Sequence, residues 1–328
     1  MCCAHFENSP SEILAGGFPM KKFPFAHTYS IIARDPETGQ LGGAVQSHWF
    51  SVGSVVIWAE AGVGVVATQA MAKISYGPLG LDLMRAGTSA PDALKALLSV
   101  DELSALRQVA MVDGQGRAAA HTGERCMEAA GHIVGEGFTT EANMMANSSV
   151  WPAMAEAYRG TRGDLTERLL ASLEAAQASG GDIRGQQSAA LLVVQPKPSG
   201  QPWNDRLFDL RVEDHPTPVA EMRRLVRIQR AYIWMNQGDE RLAAGDTPGA
   251  LAAYRGASEL APEMDEIPFW HAVTLADSGQ LDAAIPIFRQ VFARNRDWAT
   301  LLQRLPPVGM VKFGSEVVQK VLDEILLG

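Results

Sequence analysis

Thr28 opens the run TYSIIAR, and its place in the chain matters more than its residue type. Side chains alternate across a strand, so Thr28, Ser30 and Arg34 would share one face, with Ile32 between them. If DPETGQ turns the chain back, Ser47 falls opposite Thr28. A threonine hydroxyl becomes a nucleophile toward amide bonds when it heads a processed chain, because its own α-amino group titrates near neutrality and can take the proton. Thr28 follows 27 residues, so that chemistry requires a cut between His27 and Thr28. The plain alternative is an ordinary β-branched strand residue.

A second set lies in GGDIRGQQS. Asp182 and Arg184 occupy a glycine-rich loop between a long helix and the apolar run SAALLVV, where a turned backbone can present side chains to a cleft. Arg184 could bind a substrate carboxylate bidentately, and Gln187 or backbone N–H groups could polarise an amide carbonyl. Equally, Asp182 and Arg184 could pair with each other and staple the loop. Asn143, in EANMM, is a further candidate donor to an oxyanion, or else a local backbone partner.

Other motifs fail on context. Gly62, Gly64 and Ala67 spell the dinucleotide fingerprint, but a strand follows where a helix is needed. His121, Cys126 and His132 lack the short ligand pair that zinc sites usually include. No cofactor and no metal are expected.

The elements that must position these residues alternate in blocks. HTYSIIAR and LGGAVQSHWF form a hairpin around DPETGQ, and SVGSVVIWAE and GVGVVATQA form a second pair around Glu60, Ala61 and Gly62. Helices follow at YGPLGLDLMRAG and SAPDALKALLS, the latter with Ser89 as N-cap and Asp92 in its first turn. Strands return at LRQVAMVD, GRAAAHTG and FTTEANMM. Helices then come at VWPAMAEAYRG and DLTERLLASLEAAQAS, with Asp164 and Glu167 in capping positions, before the closing strands SAALLVVQ and DRLFDLRV. Blocks of strands and helices without regular βαβ alternation indicate an α+β fold.

The runs TYSIIARDPETGQLGGAVQS, GVGVVATQAMAKISYGPLGLDLMRAG, AAAHTGERC and GGDIRGQQSAALLVV resemble the bacterial family known as domain of unknown function 1028. The resemblance covers about residues 28 to 213. It implies a four-layer αββα sandwich like that of N-terminal-nucleophile hydrolases, in which the nucleophile heads the first sandwich strand. That position maps onto Thr28. The family carries no established activity, so the resemblance implies a fold and a reaction class but no substrate. Some of its members end in an extension regarded as peptidoglycan-binding.

Beyond about residue 216 the period changes. Gly245-Asp246 recurs as Gly279-Gln280, Ala250 as Ala284 and Tyr254 as Phe288, each pair 34 residues apart. That is the tetratricopeptide period. Trp234, Gly238, Ala250, Tyr254, Ala257 and Pro262 fit the first copy, about 231–264. The second, about 265–298, departs from it with Pro268 and Arg296, and a tail helix is expected at about 315–327. Stable arrays usually need about three repeats, so two should lean on the first domain, the tail helix or a second subunit; a homo-oligomer is expected. The reading gives an extension over 1–27, with Met20 as a possible start, a sandwich over 28–213 and an all-α domain over 216–328.

A net charge of −9, with lysines and arginines scattered, argues against nucleic acid as a partner. No window approaches the roughly 20 apolar residues of a spanning helix, so no membrane is expected. Cys2, Cys3 and Cys126 make no disulfide framework and suit a reducing cytoplasm. Two functions fit. In the first, Thr28 cleaves a small amide or peptide, and Asn143, Gln187 or main-chain donors hold the oxyanion, with Ser30, Arg34, Ser47, Asp182 and Arg184 binding substrate. In the second, a non-catalytic sandwich binds a small ligand or a partner and the repeats dock a protein, cell-wall binding being one branch.

Overall fold

The computed structural model describes residues 25–326. Of the expected extension, only Phe25, Ala26 and His27 fall inside that range; Cys2, Cys3 and Met20 lie outside the described residues. The chain divides into two compact units that meet in sequence at Arg223 and Arg224.

The first unit stacks two antiparallel sheets. One has the order β11-β10-β3-β2-β9-β8, built from β2 (Thr28–Arg34), β3 (Leu41–Ser47), β8 (Gly131–Gly135), β9 (Phe138–Ala142), β10 (Ser188–Val194) and β11 (Arg206–Val212). The other has the order β1-β5-β6-β7, from β1 (Phe25–Ala26), β5 (Gly64–Met71), β6 (Arg107–Asp113) and β7 (Ala118–Thr122), with β4 (Ile57–Glu60) also paired to β5. Their inner faces share a buried apolar cluster: Ile32, Val45 and Ala190 from the first sheet meet Val65, Ala67, Ala110 and Val112 from the second. Alternation then sends Val66, Val109 and Met111 outward against α1 (Tyr76–Arg85) and α2 (Ala90–Ser99). The outer face of the larger sheet is covered by α3 (Val150–Gly160) and α4 (Leu165–Ala178); Thr140 Oγ1 donates to the Trp151 carbonyl at 2.9 Å. The result is a four-layer αββα sandwich.

The hairpin register is the expected one, with Thr28 directly opposite Ser47. Ser89 caps α2 by accepting from the Asp92 amide, and Asp164 caps α4 through the Glu167 amide. Three elements differ from the sequence reading. SVGSVV is a tight 3-10 turn at Val52–Ser54 and not a strand, because Gly53 passes beneath Ala190, where any β-carbon would stand 2.4 Å from the Ala190 methyl. FTTEANMM stops pairing at Ala142, since Met144 takes a left-handed φ of 56° and turns the chain away. GHIVG forms β8, which the sequence reading leaves out.

The second unit is helical. The latter part of α5 (Pro218–Ala243) pairs with α6 (Thr247–Leu260), and α7 (Glu266–Asp277) with α8 (Leu281–Arg294). The 34-residue register has a structural cause: Gly245 and Gly279 end corresponding helices with φ of 81° and 79°. Ala250, Tyr254 and Ala257 are buried between the first pair of helices, and Ala284 and Phe288 take the same places in the second. The worn second repeat leans on α9 (Asp297–Arg304) and α10 (Ser315–Leu326): Leu302, Leu305, Val318, Val321 and Leu322 join Phe269 and Phe288 in one core. No helix among the described residues is long and apolar enough to cross a membrane.

Candidate functional site

The chain changes sheets at His27. Ala26 pairs with Ala70 in one sheet and Thr28 with Ser47 in the other, so the bond between His27 and Thr28 spans the gap between the two layers. Both side chains are buried. The His27 carbonyl oxygen accepts from Ser47 Oγ at 2.6 Å and from Arg184 Nη2 at 2.8 Å. Thr28 Oγ1, next along the chain, is buried and has no hydrogen-bond partner.

Arg184 is held by Asp182, whose Oδ1 accepts from Arg184 Nε at 3.0 Å and whose Oδ2 accepts from Nη2 at 2.7 Å. The Asp182 carboxylate is fully buried and also accepts from the backbone amides of His48 and Arg184. The pair therefore staples the loop, and Nη2 also donates to the His27 carbonyl. Asn143 lies just past β9. Its backbone amide and side-chain Nδ2 donate to the Thr28 carbonyl at 3.1 and 3.4 Å, and its Oδ1 stands 3.0 Å from His27 Nδ1. Burial holds the His27 imidazole below its ordinary value; the Asn143 hydrogen bond opposes that shift and the nearby Arg184 charge adds to it.

Behind Thr28 runs a buried polar seam that the sequence reading missed. Ser30 donates to Gln69 Oε1 at 2.8 Å and lies 3.2 Å from Glu141 Oε1. Gln69 Nε2 donates to Gln108 Oε1 at 2.7 Å, and Asn143 Nδ2 donates to the same oxygen at 2.8 Å. Gln108 Nε2 carries the seam on to Thr122 Oγ1 at 2.9 Å, and Thr122 meets His132 Nδ1 at 2.8 Å. Glu141 is wholly buried with Oε2 unpartnered, and burial pushes its carboxyl well above the usual carboxylate range against a smaller opposing effect of Ser30. Burial thus favours the protonated form of Glu141. The available signal was a long amide or acid within a short strand: Gln69 in GVVATQAM, Gln108 in RQVAMVD and Glu141 in FTTEA.

An apolar cleft of about 360 Å³ opens beside His27, walled by Ala70, Met71, Leu106, Cys126 and Met127, with Arg125 at its edge. Ala70 has a left-handed φ of 64°, a conformation that costs a non-glycine residue about 1 kcal/mol or more and clusters at functional positions. Burial pushes the Cys126 thiol up to about 11, so it is protonated at neutral pH.

Two expected members stand apart. Arg34 ends β2, six residues and about 20 Å along the strand from Thr28. Gln187 turns its amide to Asp214, with Nε2 to Oδ1 at 3.1 Å, beside His48 and His215. Thr28, Ser30, Ser47, Asn143, Asp182 and Arg184 do converge. Among the described residues, no group of three or more His, Cys, Asp and Glu side chains could hold a metal ion. His121 bonds the Ser104 carbonyl, and Cys126 that of Arg107.

An αββα sandwich with a buried polar seam where the chain changes sheets, followed by tetratricopeptide-type helices, defines the class. Residues 28–222 match the family of unknown function DUF1028, and the chain belongs to it. Residues 241–305 match a tetratricopeptide repeat. A crystal structure of a DUF1028 protein from Silicibacter pomeroyi is similar, with 33% identity and a TM-score of 0.55, over 61% of this chain and 88% of that one. A comparison with curated proteins finds no match.

Proposed function

We propose that the sandwich is a self-processing amide hydrolase whose nucleophile is Thr28. One observation carries the reading: the His27 carbonyl is gripped by Ser47 Oγ and Arg184 Nη2, while the adjoining Thr28 hydroxyl is buried with no other partner. In this mechanism Thr28 Oγ1 attacks the His27 carbonyl carbon, and the oxygen that becomes negative already sits on a hydroxyl and a guanidinium. The C–N bond breaks, the hydroxyl proton passes to the Thr28 nitrogen, and an ester joins His27 to Thr28. Water then hydrolyses the ester, releasing the His27 carboxylate and restoring the Thr28 hydroxyl on a chain that now begins with the free Thr28 amine. That amine serves as base when Thr28 next attacks a small amide or peptide lying against the Ala70 and Met71 wall. Asn143 and Arg184 remain as positioning groups. Intact-mass analysis of the purified chain should find a form beginning at Thr28, and Thr28→Ala should stay uncut and inactive. Amide hydrolysis by an uncut chain, unchanged in that variant, would overturn the mechanism.

A second reading, a binding sandwich that is never cut, is favoured by one feature. Phe25 and Ala26 are woven into a sheet as β1, so the bond before Thr28 is part of the fold. Full-length mass after expression in every host, with no adduct on Thr28 from an electrophilic acyl probe, would select it. In either reading the helical repeats supply a surface for a protein partner, self-association is expected, and the reducing cytoplasm is the expected compartment.

A further inference from the structure

The far end of β2 carries a second concavity, of about 470 Å³, that has no part in the chemistry at Thr28. Three guanidinium groups line it, those of Arg34, Arg159 and Arg168, together with Phe138 and Tyr158 and a single carboxylate, Glu136. Arg159 lies 5.0 Å over the Phe138 ring and Arg168 lies 4.1 Å over the Tyr158 ring. The two rings are themselves in contact, 4.6 Å between centres. Stacking on aromatic faces fixes the plane of a guanidinium and leaves its N–H edges to meet a ligand.

The charge is under-compensated. Arg34 donates to two backbone carbonyls, Gly114 from Nε at 2.8 Å and Asp35 from Nη1 at 3.4 Å, which orient the group without neutralising it. Among the described residues neither Arg34 nor Arg159 forms an ion pair. Arg168 reaches Asp35 Oδ2 at 3.4 Å, while the other oxygen of that carboxylate is engaged by the amides of Glu37 and Thr38. Positive charge is therefore in excess around the cavity, in a chain whose net charge is −9.

We propose that this cavity binds a small polyanion, a molecule with two or more carboxylate or phosphate groups. Three guanidinium groups around a volume larger than a single ion, with the Nη2 ends of Arg34 and Arg168 and the guanidinium of Arg159 not engaged in ion pairs among the described residues, match several oxyanions of one ligand. The acidic remainder of the chain repels an extended polyanion such as nucleic acid and suits a ligand that fits wholly within the cavity.

Isothermal titration of the full chain with citrate and with pyrophosphate, at fixed ionic strength and with acetate as the single-charge control, tests this. At least one of the two should bind saturably and one to one, about tenfold or more tightly than acetate; citrate alone would identify polycarboxylates, pyrophosphate alone polyphosphates. Arg159→Ala, at an exposed position, should fold as the parent does and lose about tenfold in affinity, with Arg159→Lys recovering only part because it keeps the charge without the fork. No saturable binding of either anion, or binding indifferent to Arg159→Ala in a folded variant, would overturn the proposal.

Discussion

Ser47 faces Thr28 across β2 and β3, yet its hydroxyl bonds past that residue to the carbonyl of His27, 2.6 Å away. A cross-strand partner thus serves the bond in front of the threonine and leaves the threonine hydroxyl alone. If that bond is cut by Thr28, removing the donor should slow the cut about a hundredfold, the usual effect of losing one oxyanion donor. A time course of intact mass on freshly made Ser47→Ala checks this; a parental rate would remove Ser47 from the reaction.

Asp182 holds Arg184 by two hydrogen bonds and two backbone amides besides. Asp182→Ala should abolish the cut by freeing Arg184 from the His27 carbonyl. It should also destabilise the fold by about 2 kcal/mol, in the range for hydrogen bonds to a charged group, with Arg184 partly solvated and so relieved of a full burial penalty. Urea unfolding of the uncut Thr28→Ala background separates the two effects.

Glu141 makes stability fall as pH rises. In the unfolded chain its carboxyl ionises near 4.3, whereas burial keeps it protonated in the native state to a well higher pH. Between those points the native state binds the extra proton, so stability falls with rising pH until the native group ionises. Glu141→Gln should flatten this fall, and the difference between variant and parent in denaturation midpoints should grow as pH rises above the unfolded-state value, until the native carboxyl ionises. A constant difference across that range would show that Glu141 does not titrate in this way.

In the helical unit, Gly238 sits under the Tyr254 ring, where a β-carbon would stand 2.8 Å from the nearest ring atom. Alanine is the better helix former by about 1 kcal/mol, so propensity alone would stabilise Gly238→Ala. Overpacking of about 1 to 3 kcal/mol opposes this, and a net loss is expected, read as a lower thermal midpoint of the full chain by far-ultraviolet circular dichroism.

The parts of the site that the sequence made legible are those fixed by local rules. The position of DPETGQ decides the hairpin register and so sets Ser47 opposite Thr28. The spacing of Gly245 and Gly279 decides the helical register. Sharing a face, however, says nothing of distance, and the rise of β2 carries Arg34 away from Thr28 into the arginine cavity. Gln69 and Gln108 face each other on paired strands of one sheet, but Glu141 and Ser30 reach them only when the sheets stack, and no local pattern records which strand will lie across the gap. GHIVG is short and bounded by glycines, so its pairing with β9 rests on position more than on composition.

The seam from Ser30 through Gln69 and Gln108 to Asn143 has a consequence beyond chemistry. Oily faces can glide over one another with little change in energy, because the hydrophobic effect has no direction. These amides do have direction. A slip of one sheet by a single residue would strand several of them in a dry layer at about 1 to 3 kcal/mol each. The same groups that surround the threonine therefore act as the alignment pins of the sandwich, and a substitution made there to probe reactivity will also be felt as lateral play between its layers.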